Sequence, residues 1–144
     1  MKKPIFISSL ITFSLITLVA CGEKPNDWTP DKVINKRDQR EYRSYVIIDD
    51  KQVIDSDFDI AKAINSSAPF ENIKSNKTAS ENSFVYRMSV SGGIGPVSCD
   101  MTFYDDGFAE VKTKDVDFYF QFGEKQAADL YQLAVTFVNE NNQE

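Results

Sequence analysis

Val97-Ser98-Cys99-Asp100-Met101-Thr102-Phe103-Tyr104-Asp105-Asp106-Gly107 is the stretch that decides the fold. Val97, Cys99, Met101 and Phe103 alternate with Ser98, Asp100, Thr102 and Tyr104. That two-residue period belongs to a strand with one face in a core and the other in water. Asp105-Asp106-Gly107 then reads as a tight hairpin, with Gly107 able to take a positive φ. On either side the pattern repeats. Upstream, Phe84, Tyr86, Met88 and Val90 alternate with Val85, Arg87 and Ser89, and Gly92-Gly93-Ile94-Gly95-Pro96 turns the chain into the next strand. Downstream, residues 108–113 make a strand. In the following one Val116, Phe118, Phe120 and Phe122 face one way and Asp117, Tyr119 and Gln121 the other.

At residue 123 the period changes. Ala127, Leu130, Tyr131, Ala134 and Val138 fall on one helical stripe with Phe137 beside it, and an Asn-rich tail ends the helix. Before the strands, Tyr45-Val46-Ile47-Ile48 reads as a further strand stopped by Asp49-Asp50. Ser56-Asp57-Phe58-Asp59 has capping-box spacing ahead of Ile60, Ala61 and Ile64, so a short helix is expected over about 57–66, with Pro69 against its continuation. Residues 70–82, rich in Asn, Ser and Lys, read as an exposed loop. The expected fold is α+β. It has an antiparallel sheet of four to five strands, two helices on one face, and the order β-α-β-β-β-β-α. Arg87, Asp100, Thr102, Tyr104, Tyr119 and Gln121 would lie on the opposite, wet face.

The N-terminus carries a different message. Lys2 and Lys3 precede an apolar run from Ile5 to Ala20, which stops at Cys21. The run is 16 residues long and contains Ser8, Ser9, Thr12, Ser14 and Thr17. A membrane span needs roughly 20 apolar residues, so this is the layout of an export signal. Leu18-Val19-Ala20-Cys21 resembles the lipobox of bacterial lipoproteins, the site of diacylglyceryl transfer and of lipoprotein signal peptidase cleavage. The resemblance implies cleavage between Ala20 and Cys21, acylation of Cys21, and anchoring on the extracytoplasmic face of the cell membrane. Gly22, where an Asp would favour inner-membrane retention, implies the periplasmic side of the outer membrane in a Gram-negative envelope. With the element order, the lipobox resembles that of small single-domain lipoproteins of uncharacterised role.

The division expected is therefore a signal peptide over 1–20, a lipidated N-terminus and polar tether over 21–41, and a single domain over 42–144. Within the tether Thr29 and Pro30 have the spacing of a cap and first position for a short polar helix. A flexible tether of some 20 residues would span roughly 25 Å root-mean-square. Removing Lys2 and Lys3 leaves 14 basic residues against 22 acidic ones, a net charge of −8. Nucleic acid is not an electrostatic partner for such a chain. With Cys21 acylated, Cys99 has no cysteine to pair with, and its apolar neighbours make it a buried thiol.

Chemistry is constrained above all by the absence of histidine. That removes Ser-His and Cys-His pairs, the usual general base and the commonest zinc ligand. Asp55-x-Asp57-x-Asp59 suggests a calcium loop, but Ile60 and Ser66 stand where an EF-hand needs Gly and Glu. The Gly92–Pro96 run lacks the Lys-Ser/Thr ending of a phosphate loop. Asp100 and Asp117 share the wet face, as a glycosidase pair would, though no cleft accompanies them in the sequence. No catalytic residue, metal ligand or cofactor is expected, and no small-molecule ligand is indicated. Arg87, Tyr104 and Tyr119 are the candidate binding residues, being of types enriched at binding hot spots. The chain reads first as a membrane-anchored domain that binds or modulates another envelope protein. An inhibitor or exclusion factor against an incoming hydrolase, phage or plasmid is the alternative, and a carboxylate-dependent hydrolase comes third.

Overall fold

A computed structural model describes residues 25–35, 42–74, 77–90 and 97–142. Ala20, Cys21 and the Gly92–Pro96 connection lie outside the described residues. A 3-10 turn, Pro25–Trp28, leads into α1, Pro30–Asn35. Strands β1, Tyr42–Ile48, and β2, Lys51–Ile54, precede α2, Asp59–Ser66. Then come β3, Glu71–Ile73, β4, Ser83–Val90, β5, Val97–Tyr104, β6, Phe108–Lys112, and β7, Asp117–Gln121. Helix α3, Glu124–Asn141, closes the domain. The fold is α+β. Its sheet is antiparallel throughout, in the order β2-β1-β4-β5-β6-β7-β3.

The expected sheet was two or three strands too narrow and one helix short. Strand β2 escaped because Val53 is the only buried residue in it. Asp49 and Asp50, with φ of 48° and 65°, form a two-residue turn pairing Ile48 with Lys51, so they connect two strands. Strand β3 lies within the segment expected to be an exposed loop. It has three residues, pairs with β7 through Glu71↔Gln121 and Ile73↔Tyr119, and follows a buried Phe70. Residues 25–35, inside the expected tether, are packed against the domain. Val33 and Ile34 are core residues, and Trp28 stacks on Phe118 with ring centroids 6.0 Å apart. Two adjacent apolar residues and one aromatic carry no period, which is why this segment reads as polar linker.

The strand alternation places the core. Phe84, Tyr86 and Met88 of β4, Cys99, Met101 and Phe103 of β5, Val111 of β6, and Phe118 and Phe120 of β7 all point to one face. Helix α3 lies across β1, β2, β4 and β5 on that face, with α2 beside it and α1 against α2. Val116, expected to point inward, is 45% exposed, because it belongs to a turn in which Thr113 Oγ1 donates to its carbonyl oxygen at 2.6 Å. Gly107 has φ of +96°, and its carbonyl accepts from the Phe122 amide at 2.8 Å. A Cβ there would sit 2.6 Å from the Phe122 carbonyl oxygen.

The start of α2 differs from the capping box. Ser56 makes no cap; Phe58, in the left-handed region at φ 60°, occupies the cap position. Asp55, 1% exposed, supplies the carboxylate instead. It accepts from the Ile60 amide at 3.4 Å, the Ala61 amide at 3.1 Å and the Tyr86 hydroxyl at 2.9 Å. One side chain thus satisfies two orphan helix amides and ties the helix to β4. Thr29, expected to cap α1, gives only its backbone carbonyl, to the Val33 amide, while its hydroxyl is buried without a partner.

Candidate functional site

The face of the sheet turned away from the helices is the candidate site. Arg43, Tyr45 and Ile47 of β1, Val85, Arg87 and Ser89 of β4, and Asp100, Thr102 and Tyr104 of β5 share it with Glu110, Lys112, Asp117 and Tyr119. Register sets two rows across it. One runs Ile54, Tyr45, Arg87, Asp100, Lys112, Asp117, and the other Gln52, Ile47, Val85, Thr102, Glu110, Tyr119, Ile73. The first row alternates in charge from Arg87 outward; the second is largely apolar towards its two ends.

Arg87 is paired with its neighbour. Its Nε donates to Asp100 Oδ1 at 2.8 Å and its Nη2 to Oδ2 at 2.9 Å, a fork-to-fork pair set by the Arg87↔Asp100 register. The hydrogen bonds to Asp100, and then its charge, raise the Arg87 pKa against a small opposing desolvation. Lys112 Nζ lies 3.3 Å from Glu110 Oε1. The Glu110 charge, followed by the hydrogen bond to it, raises the Lys112 pKa. A guanidinium already held by a carboxylate presents a planar pair, and is a poorer donor for a partner's carboxylate than an unpaired one.

Tyr104 and Tyr119 come together through a residue the sequence did not single out. Phe108, 4% exposed, lies with its ring 5.3 Å from that of Tyr104 and 6.0 Å from that of Tyr119. The two tyrosines therefore cover a phenylalanine that points away from the main core. Burial, followed by the Glu110 charge, raises the Tyr104 pKa, and Lys112 opposes it. These half-buried tyrosines are structural as well as open to solvent. Tyr45, Ile47 and Val85, which no hot-spot signal in the sequence marks, are half-buried on the same face. In Tyr45-Val46-Ile47-Ile48 every residue is apolar or aromatic, so alternation could not say which side was wet.

Beside the rows, residues 77–82 are pinned to the β5–β6 hairpin. Asp106 accepts from the Thr78 hydroxyl at 2.6 Å and from the amides of Ala79, Ser80 and Phe108 at 3.0, 3.3 and 3.2 Å. Partial burial pushes its carboxyl upward, but these bonds outweigh it and hold the pKa below the usual value. Asp105 accepts from the Ser80 hydroxyl and from Asn82 Nδ2.

Chemistry elsewhere is sparse. Asp55 is buried while Asp57 and Asp59 are exposed, so the three carboxylates do not converge. Among the described residues no cluster of His, Cys, Asp or Glu could hold a metal ion. Cys99 is buried, and desolvation with the nearby Asp100 charge pushes its thiol up to about 12. A shallow recess of about 410 Å³ between Pro69, Glu71, Gln121 and Gln126 holds one ionisable side chain, Glu71. Nothing in it resembles an acid–base pair. Comparison with protein-family models, curated proteins and solved structures finds no match.

Proposed function

We propose that this chain is a lipoprotein of the bacterial cell envelope, anchored on the extracytoplasmic side through acylated Cys21, and that its domain binds another envelope protein through the uncovered sheet face. The stop of the apolar run at Leu18-Val19-Ala20-Cys21 carries the anchoring. The interaction reading is supported by a face that combines half-buried Tyr45, Ile47 and Val85 with paired charges around Arg87 and Asp100. Aromatic and aliphatic area gives contact at low entropic cost, while paired charges fix register more than they add affinity. Two measurements test it. Acyl labelling should be present in the wild type and absent in Cys21→Ser. Capture of a partner from crosslinked envelopes should weaken at least tenfold in Ile47→Thr with Val85→Thr, which keeps β-propensity and leaves Phe108 covered. Undiminished capture by that double variant would remove the open face from the account.

A further inference from the structure

Only Gly22, Glu23 and Lys24 separate Cys21 from the turn at Pro25. From Cys21 to Pro25 the chain takes four steps, so at roughly 3.3–3.6 Å each it reaches about 14 Å at most. Three further steps through the 3-10 turn, at about 2 Å each, bring Trp28 within roughly 20 Å of Cys21. A domain of this size has a radius of gyration of about 13 Å, so it is wider than its connection is long. We propose that the anchor is a short leash, resting on acylation at Cys21, which holds the Pro25–Trp28 corner at the headgroup surface of the anchoring bilayer.

The Pro25–Trp28 corner lies on the covered side of the sheet. Val33 and Ile34 are buried in the core between sheet and helices, and Trp28 stacks on Phe118, which points to that same side. Lys32 Nζ donates to the Asn26 carbonyl at 2.8 Å and fastens the turn to α1. The open face carrying Arg87 and Tyr119 thus lies on the other side of the sheet from that corner. The corner suits a headgroup surface without seeking one. Trp28 is half-buried, a residue type at home at membrane interfaces, and Val116 nearby in sequence to Phe118 is exposed. Lys32 and Lys114 are outnumbered by Asp27, Asp31 and Asp115. The covalent leash, rather than charge, keeps the corner in place.

Trp28 is the chain's single tryptophan and reports its own position. The processed, lipidated protein would be reconstituted in phosphatidylethanolamine–phosphatidylglycerol vesicles containing a dansyl-labelled headgroup. Flotation and energy transfer from Trp28 are then read together, beside a variant with twenty Gly/Ser residues inserted between Lys24 and Pro25, and beside Cys21→Ser in a chain that starts at residue 21 and so lacks the apolar run of residues 5–20. The wild type should float and transfer strongly, the long-leash variant should float with transfer reduced several-fold, and Cys21→Ser should do neither. Equal transfer from the wild type and the long-leash variant, both floating, overturns the leash and leaves the anchoring intact. Transfer from Cys21→Ser shows surface affinity and also overturns it. A wild type that carries no acyl group and stays at the bottom overturns the anchoring and the leash together.

Discussion

On its covered face the sheet meets one buried carboxylate among the described residues, that of Asp55; its open face carries a row of ions that stay half in water. The Asp55 oxygens receive three donors, two from the start of α2 and one from Tyr86. Arg87 and Asp100 pair directly at 2.8 Å, with side chains 41% and 32% exposed. Geometry is good in both places, but the dielectric surroundings differ. A buried acceptor that loses its donors, or donors that lose their acceptor, forfeits full desolvation, whereas an exposed pair exchanges one hydrogen-bonding environment for another. Stability should therefore reside on the covered face and recognition on the open one.

The largest effect should come from Asp55→Ala. It strips two helix amides of their acceptor and removes the carboxylate that accepts from the Tyr86 hydroxyl, at a cost of about 2–4 kcal/mol in urea unfolding. Tyr86→Phe in the Asp55→Ala background should then cost less than Tyr86→Phe alone, because the partner has already gone. Additive losses would mean that Tyr86 and Asp55 stabilise the fold separately.

Cys99 comes next. Cys99→Ser places a hydroxyl in an apolar setting and should cost on the order of 1–3 kcal/mol. In the Cys21→Ser background its thiol should react slowly with reagents until the protein is denatured. Its pKa is raised by folding, from 9.0 to about 12. The stability this represents is complete below pH 9 and is lost as pH rises towards 12. A midpoint that stays flat over that range in the wild type, or falls equally in Cys99→Ser, would contradict the assignment.

Smaller and local is the effect at Asp106, whose folded pKa lies below the ordinary 3.8. Its contribution is present above 3.8 and is lost as pH falls through the lower folded value. Amide exchange at Ala79 and Ser80 should rise in Asp106→Asn at neutral pH, with β4 and β5 unaffected. Smallest of all, Arg87→Ala and Asp100→Ala should each cost no more than about 1 kcal/mol, less in high salt. A cost near that of Asp55→Ala would erase the contrast between the faces.

The same contrast explains what was legible in the sequence. Strands β4, β5 and β7 were readable because each alternates large apolar residues with mostly polar ones, as in Phe118, Phe120 and Asp117, Tyr119, Gln121, and β6 was readable from the hairpin signal before it, although buried Phe108 breaks its alternation. Helix α3 announced itself through the spacing of Ala127, Leu130, Ala134 and Val138. Strands β2 and β3 were not readable, since each is short and held by tertiary contacts rather than by pattern; for α1 the start at Pro30 was legible, but the packing of Val33 and Ile34 into the core was not. Asp55 was hidden for another reason. Its cap reaches five and six residues ahead, past the Ser56 that local spacing favoured. Of the site, Arg87, Tyr104 and Tyr119 were correctly set on the wet side. The Asp100 clamp and buried Phe108 depend on register across strands, which one sequence does not display.

The central claim is that recognition belongs to the open face. A photoreactive residue placed at Thr102, in the middle of that face, tests it against one placed at Leu133, which is 45% exposed on α3. With the lipidated protein in intact cells, irradiation should give a discrete crosslinked species from position 102 and none from position 133. A discrete adduct from position 133 alone would put the partner on the helical side and contradict the account.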